Sequence, residues 1–73
     1  MATAPPISQV AHIGETAGVV WTILNENGPL SMAKLVKKVG GPRDVVMQAL
    51  GWLAREDKVV IEKEGRKEMV RLR

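Results

Sequence analysis

The sequence contains no cysteine, no phenylalanine and no tyrosine, and its 73 residues include one histidine and two tryptophans. Without cysteine, disulfide bonds and thiolate metal sites are excluded, and His12 has no second ligand of the right type within helical reach. The sequence also lacks an acid pair with a partner base and a glycine loop leading into Lys-Ser or Lys-Thr. We therefore predict a protein that is not an enzyme and that carries no cofactor and no metal.

Long apolar runs are absent, and so is a basic N-terminal region followed by an apolar block. The first absence predicts that no segment spans a membrane, and the second that no signal peptide marks the chain for export. A length of 73 residues leaves room for one domain. We expect a single cytoplasmic domain over residues 8–73, preceded by a flexible tail over residues 1–7 that includes Pro5 and Pro6.

Basic residues are absent from the first part of the chain, because all eleven lysines and arginines lie from Lys34 onward. Six acidic residues accompany them there, which leaves a net charge of +5 on this region. Such a region attracts a phosphate backbone, although mixed charge also serves simply to solvate an exposed surface. Aromatic residues that stack on single-stranded bases are scarce, so duplex DNA is the nucleic acid that this composition favours.

Hydrophobic spacing predicts a first helix that begins at a Ser8 cap. Its apolar residues recur at intervals of three and four, which is the period of one helix face. Asn27-Gly28-Pro29 ends the helix, because glycine accepts the left-handed C-terminal geometry and proline cannot continue a helix. The stripe predicted to face the core consists of Val10, Ile13, Ala17, Val20, Trp21 and Leu24.

Two shorter helices and a hairpin are predicted after residue 30. Ser31 caps the second helix, and Gly40-Gly41 turns the chain into a third helix that ends near Asp57, where we expect a left-handed residue. The pattern then changes to the two-residue period of strands and predicts an antiparallel hairpin over Val59–Leu72, with its turn at Glu64–Lys67. This order is typical of a winged helix-turn-helix, a mainly helical α+β fold of three helices and a C-terminal β-hairpin wing. The core residues predicted on the second and third helices are Leu35, Val36, Val39, Val45, Val46, Ala49, Leu50 and Leu53.

Two segments resemble a known family of proteins. Ala17–Trp21 in the first helix and Ala49–Glu56 in the third, the latter reading Ala-Leu-Gly-Trp-Leu-Ala-Arg-Glu, resemble the signature of small, free-standing bacterial and archaeal winged-helix proteins of unassigned function. The resemblance extends from Ile13 to Leu72. It implies a winged-helix fold and, by analogy with the helix-turn-helix of many transcription regulators, DNA binding.

The third helix and the wing carry most of the candidate DNA-binding residues. At 100° per residue, Gln48 and Arg55 lie opposite the predicted core, where glutamine can pair with adenine and arginine can reach guanine or a phosphate. Gly51 leaves a gap on that face and Asp44 repels phosphates, so we expect little base readout. The wing suits contacts to phosphates or minor-groove edges. The full candidate set is Lys37, Lys38, Arg43, Gln48, Arg55, Lys63, Arg66, Lys67 and Arg71.

Helical glycines and a tryptophan indicate a second kind of surface. A glycine inside a helix costs about 0.5–1 kcal/mol relative to alanine, and it usually permits the close approach of another group. Gly14 and Gly18 lie four residues apart on the first helix, and Gly51 precedes Trp52 on the third. Packing within the chain is the more common explanation, and a homodimer built on the first helix is the alternative. These four residues form the candidate protein interface.

The sequence leaves two functional hypotheses open. The first is the binding of double-stranded DNA, mostly through phosphate contacts with modest sequence preference, by a transcriptional regulator or an architectural factor. The second is a protein-interaction or dimerisation module on the same scaffold, in which the charges only keep the protein soluble. Neither hypothesis includes a small-molecule ligand or a membrane partner.

Overall fold

The computed structural model describes residues 6–73, with side chains from Val10 onward. Within this range three helices and a three-stranded antiparallel sheet form, with the strand order β1-β3-β2. The predicted winged helix-turn-helix is confirmed. The elements are α1 (Pro6–Asn27), β1 (Leu30–Ser31), α2 (Met32–Val39), α3 (Arg43–Arg55), β2 (Val59–Glu64) and β3 (Lys67–Leu72).

The first helix begins two residues before its predicted cap. Because α1 starts at Pro6, Ser8 lies inside the helix, and its predicted role as the N-cap is wrong. Proline suits the first turn, where its missing amide hydrogen would have no helical partner. The predicted tail of residues 1–7 therefore overlaps the helix at Pro6 and Ile7, and its first five residues lie outside the described part of the chain.

Left-handed backbone conformations occur at the predicted breaks between elements. Gly28 has a φ of 77° and donates its N–H to the carbonyl oxygen of Leu24 at 2.8 Å, which ends α1. Asp57 has a φ of 63°, so the left-handed residue predicted after α3 is confirmed. The two-residue turn of the wing has a positive φ only at its first residue, Gly65. This pattern is that of a type II′ turn, whose twist suits a hairpin.

A short strand, β1, adds to the predicted hairpin. Leu30 pairs with Val70 and Ser31 pairs with Met69, so β1 lies beside β3 and ties the start of α2 to the wing. Ser31 also caps α2 as predicted, because its Oγ accepts the N–H of Lys34 at 3.3 Å. Two residues are too few to show a strand period, which is why the sequence predicted only an extended link.

The core lies where α1 packs against α3 and where α2 and the sheet close around them. Core predictions on α2 and α3 are confirmed, although Val36, Val39 and Val45 are only partly buried. On α1 the predictions for Val10 and Trp21 are wrong, because these side chains are 48% and 41% exposed. The buried apolar residues are Ala17, Val20, Leu24, Leu30, Met32, Leu35, Val46, Ala49, Leu50, Leu53, Val59 and Val70.

The two misassigned residues of α1 have different physical reasons for their exposure. Val10 lies seven residues, or about 10 Å, before Ala17, the first fully buried residue among those whose side chains are described. Trp21 lies about 65° from the centre of the buried face, towards Gly14. Hydrophobic periodicity therefore predicted an apolar stripe on α1 that is longer and wider than the part that the other elements cover.

Candidate nucleic-acid interface

α3 exposes a mainly polar face on the side opposite the core. The residues predicted there, Asp44, Gln48, Gly51 and Arg55, are all exposed, as is Met47, whereas the buried residues of α3 lie on the other side of the helix. No side chain projects from the middle of this face, because a glycine occupies that position. The face therefore has few groups that can reach base edges in a DNA groove.

A groove of about 280 Å³ joins the start of α3 to the tip of the wing. Arg43, the first residue of α3, lines this groove together with Arg66 and Lys67 of the wing. The single carboxylate among its lining residues belongs to Glu68. Three cations against one anion make the groove electropositive, so it attracts anionic groups. We call it the cationic groove. The fold thus brings Arg43 next to two predicted site residues that lie more than 20 positions later in the sequence.

Gln48 and Arg55 do not line the cationic groove. They line a second groove of about 520 Å³ with Ile13, Trp52 and Glu56, on the side of α3 that borders α1. The carboxylate of Glu56 lies 3.8 Å from the amino group of Lys58. The two predicted base-reading residues are therefore exposed at the α1 side of α3, separate from the three predicted phosphate contacts.

The predicted lysines extend the positive surface beyond the cationic groove. Lys37 and Lys38 are exposed in the last turn of α2, where positive charge also complements the helix dipole. Lys63 is exposed on β2, and in the sheet register it lies opposite Glu68. Because opposite charges on facing strands attract each other, Lys63 is in part neutralised within the hairpin, and the same holds for Lys67, which lies opposite Glu64.

Arg71 is held by partners within the sheet. Its Nε donates to Oε1 of Glu62 at 3.1 Å, and its Nη1 donates to the carbonyl oxygen of Leu72 at 3.4 Å. The Glu62 contact joins diagonal positions of the register on one face of the hairpin. The guanidinium of Arg71, a predicted DNA-binding residue, is thus already engaged by groups of the protein itself.

The predicted protein interface forms a surface of its own, apart from Gly51. Gly14, Gly18 and Trp52 line a groove of about 630 Å³ between α1 and α3, whose lining also includes Trp21. Gly51 lies on the outward face of α3 instead. A Cβ atom added at Gly14, Gly18 or Gly51 would meet nothing within 4 Å, so packing within the chain, the more common explanation of such glycines, is wrong here.

The residue that sequence reasoning missed on this surface is Trp21. It was assigned to the core because it continues the three- and four-residue spacing of α1. Its angular position at the edge of the buried face, next to Gly14, was the signal that could have revealed its exposure. Trp52 lines the same groove from α3 and is likewise 41% exposed.

Two kinds of feature are missing from residues 6–73. No helix in this range combines the length and the apolar character that a membrane span requires. Over the same residues, histidine and acidic side chains nowhere gather in a group of three or more that could hold a metal ion.

The helix-turn-helix with its adjoining sheet and wing defines a winged-helix protein. Residues 8–72 match the family model of a winged helix-turn-helix domain (DUF2582), and the chain belongs to this family, as the resemblance implied. It is 41% identical over 64 residues to the uncharacterized protein MJ1608 of Methanocaldococcus jannaschii, a match that covers 84% of this chain and 90% of that protein.

Solved structures show the same fold. Protein BT2368 of Bacteroides thetaiotaomicron is similar with 39% identity and a TM-score of 0.77 over 85% of this chain and 76% of that one. A structure of HOP2, described in terms of its DNA recognition and protein interaction domains, is similar with 27% identity and a TM-score of 0.64 over 80% of this chain and 98% of that one. HlyU of Vibrio cholerae, at 18% identity and a TM-score of 0.62 over 89% of this chain and 73% of that one, shows the fold alone.

Proposed function

We propose that this protein binds double-stranded DNA with the outward face of α3 and the wing, mostly through phosphate contacts and with modest sequence preference. The observation that carries the proposal is the cationic groove, in which Arg43 of α3 meets Arg66 and Lys67 of the wing. Winged-helix modules commonly place the second helix of the helix-turn-helix in the major groove. The similarity to a HOP2 structure described in terms of DNA recognition supports the same assignment.

The contacts in this proposal divide into positioning and reading. The cationic groove and the lysines of α2 and β2 neutralise phosphates and fix the protein on the duplex. Gln48 and Arg55 are the groups of α3 that can meet base edges, and the gap at Gly51 together with the repulsive Asp44 limits their number. A small regulator of transcription or an architectural factor fits this balance. In a prokaryotic cell such a role implies a cytoplasmic location.

The salt dependence of binding measures the number of phosphate contacts. Four to six contacts predict that log Kd changes with log salt with a slope of about 4–5 in magnitude. The measurement is fluorescence anisotropy of a labelled random-sequence duplex of about 20 base pairs, titrated at several salt concentrations. We expect Arg66→Gln to lower the slope by about one, because it removes one phosphate contact.

The matched control for this measurement is Arg73→Gln. Arg73 is an exposed arginine whose Nε lies 3.2 Å from Oδ1 of Asp57, at the end of the hairpin opposite the turn. Its replacement removes the same charge from the chain and is expected to leave the slope unchanged. A wild-type slope near zero would count decisively against DNA binding through phosphates.

A protein-interaction module is the second candidate function, and a separate surface favours it. Trp21 on α1 and Trp52 on α3 are each 41% exposed. The groove that they line shares no residue with the cationic groove. Trp52 also lines the groove of Gln48 and Arg55, so the interaction surface is separate from the cationic groove but adjoins the base-reading residues of α3.

A further inference from the structure

We propose that this protein forms a two-fold homodimer through a surface that we call the glycine-tryptophan face. The inference goes beyond DNA binding and does not depend on it. The face is made by α1 and by the adjoining side of α3. Its defining residues are Gly14, Gly18, Trp21, Thr22, Trp52 and Lys58.

The first observation is that the fold of one chain does not require the two glycines of α1. Neither has a positive φ, and an added Cβ atom at either position would meet nothing within 4 Å. Alanine would fit at both positions and would favour the helix by about 0.5–1 kcal/mol each. Glycine at these positions would be explained by a second helix that approaches the backbone of α1 closely, because the single chain does not require it.

The second observation is that both aromatic residues of the chain lie on this face. Trp21 and Trp52 are each 41% exposed, and a groove of about 630 Å³ runs past them and the two glycines. Val19, which is 46% exposed, extends the apolar surface on the far side of Gly18. Tryptophan is enriched where interfaces exclude water, and a continuous exposed apolar patch marks a site of association.

The distribution of charge indicates that a second copy is the occupant. α1 carries no basic residue, and Lys58 is the one charged side chain among the residues that line the groove. Glu15 lines the adjoining surface around Val19, so the face carries a weak field of mixed sign that does not favour a highly charged partner. The +5 charge of residues 34–73 makes two copies repel each other if they approach through α2 or the wing. The glycine-tryptophan face lets two copies meet while those basic surfaces stay apart.

The shape and the size of the face fit a weak symmetric dimer. A two-fold contact needs complementary features within one patch, and here the glycine surface of α1 lies beside two partly exposed indole rings. A helix the length of α1 is about 33 Å long and about 10 Å wide. Contact along all of it would cover a footprint of roughly 330 Å² on each copy, well below the roughly 800 Å² per partner of a standard interface. We therefore expect a dimer that forms with increasing concentration.

Sedimentation equilibrium of the full chain, combined with tryptophan fluorescence, tests this proposal between about 10 µM and about 1 mM protein. The weight-average mass is expected to rise from 8.0 kDa towards twice that value. The emission maximum should move to shorter wavelength over the same range, because both indole rings leave water on association. Gly18→Glu, which places a charge at the centre of the face, should remain at 8.0 kDa with unshifted emission.

Gly51→Glu is the matched control for the dimer. It makes the same change at an exposed helical glycine with equally open surroundings, but on the outward face of α3. It should associate as the wild type does. Circular dichroism checks that each variant is folded, and Gly14→Gln serves as a second, uncharged variant if Gly18→Glu loses helix.

Two results would overturn the homodimer. One is a wild-type mass that stays at 8.0 kDa up to about 1 mM, which would leave the face to a different protein. The other is equal association of the Gly18→Glu and Gly51→Glu variants, which would place the contact elsewhere. Duplex binding of Gly18→Glu is expected to persist per chain, so failure of the dimer and failure of DNA binding are distinguishable.

Discussion

Replacing Arg43, Arg66 and Lys67 together by glutamine is expected to weaken binding of a random-sequence duplex by roughly 100- to 1,000-fold at about 0.1 M salt. At that salt concentration, each phosphate contact contributes roughly tenfold through the release of counterions from DNA. These three residues line one groove between α3 and the wing, so one phosphate segment engages them together. The slope of log Kd against log salt should fall by about three.

The chain offers a control of equal charge for this triple variant. Lys34, Lys58 and Arg73 are the three basic residues outside the candidate DNA-binding set, and all three are exposed. Their joint replacement by glutamine produces the same net charge and is expected to weaken binding by less than about tenfold, through the long-range field alone. Equal losses in the two triple variants would show that net charge attracts DNA and that the cationic groove is not its site.

Leu50→Ala is expected to lower the free energy of unfolding by about 2–5 kcal/mol, because it removes buried methyl groups and leaves a cavity. Leu50 lies on α3 and is 1% exposed in the core. A domain of 73 residues has a stability of about 4–11 kcal/mol at typical values per residue. The substitution therefore removes a large fraction of the stability, and urea denaturation followed by circular dichroism measures it.

Met47→Ala is the control for this prediction on the same helix. Met47 lies on the exposed side of α3 and is 37% exposed, so its truncation should change the stability by less than about 1 kcal/mol. The comparison also tests the orientation of α3, which decides which residues face DNA. Equal destabilisation by the two substitutions would contradict the assignment of Gln48 and Arg55 to the outward face.

Local sequence signals predicted the second half of the chain well, because each element there has a short and complete pattern. The apolar spacing of α3, the left-handed Asp57 and the β-branched run that opens the hairpin are all properties of neighbouring residues. In α1 the same spacing was insufficient. Periodicity shows where an apolar stripe lies, but it does not show how much of the stripe other elements cover, and Trp21 lies at its uncovered edge.

The sequence was sufficient to identify the individual residues of the candidate site, but it did not show which of them lie close together in the fold. The sequence identified Arg43, Arg66 and Lys67 separately, as a residue at a helix start and two residues in a turn. Their convergence depends on β1, a strand with no signal of its own, which holds the hairpin against the start of α2. The contact of Arg71 with Glu62 likewise depends on the strand register, which the sequence pattern did not specify.

The most direct test of DNA binding through α3 and the wing is an amide chemical-shift titration of the isotope-labelled protein with a short random-sequence duplex. It is made at low and at physiological salt, so that it reports binding and its location together. We predict salt-sensitive shifts concentrated in residues 41–55 and 63–71, with little change along α1. Shifts that are absent at both salt concentrations, or that are confined to the glycine-tryptophan face, would contradict the proposed DNA-binding function.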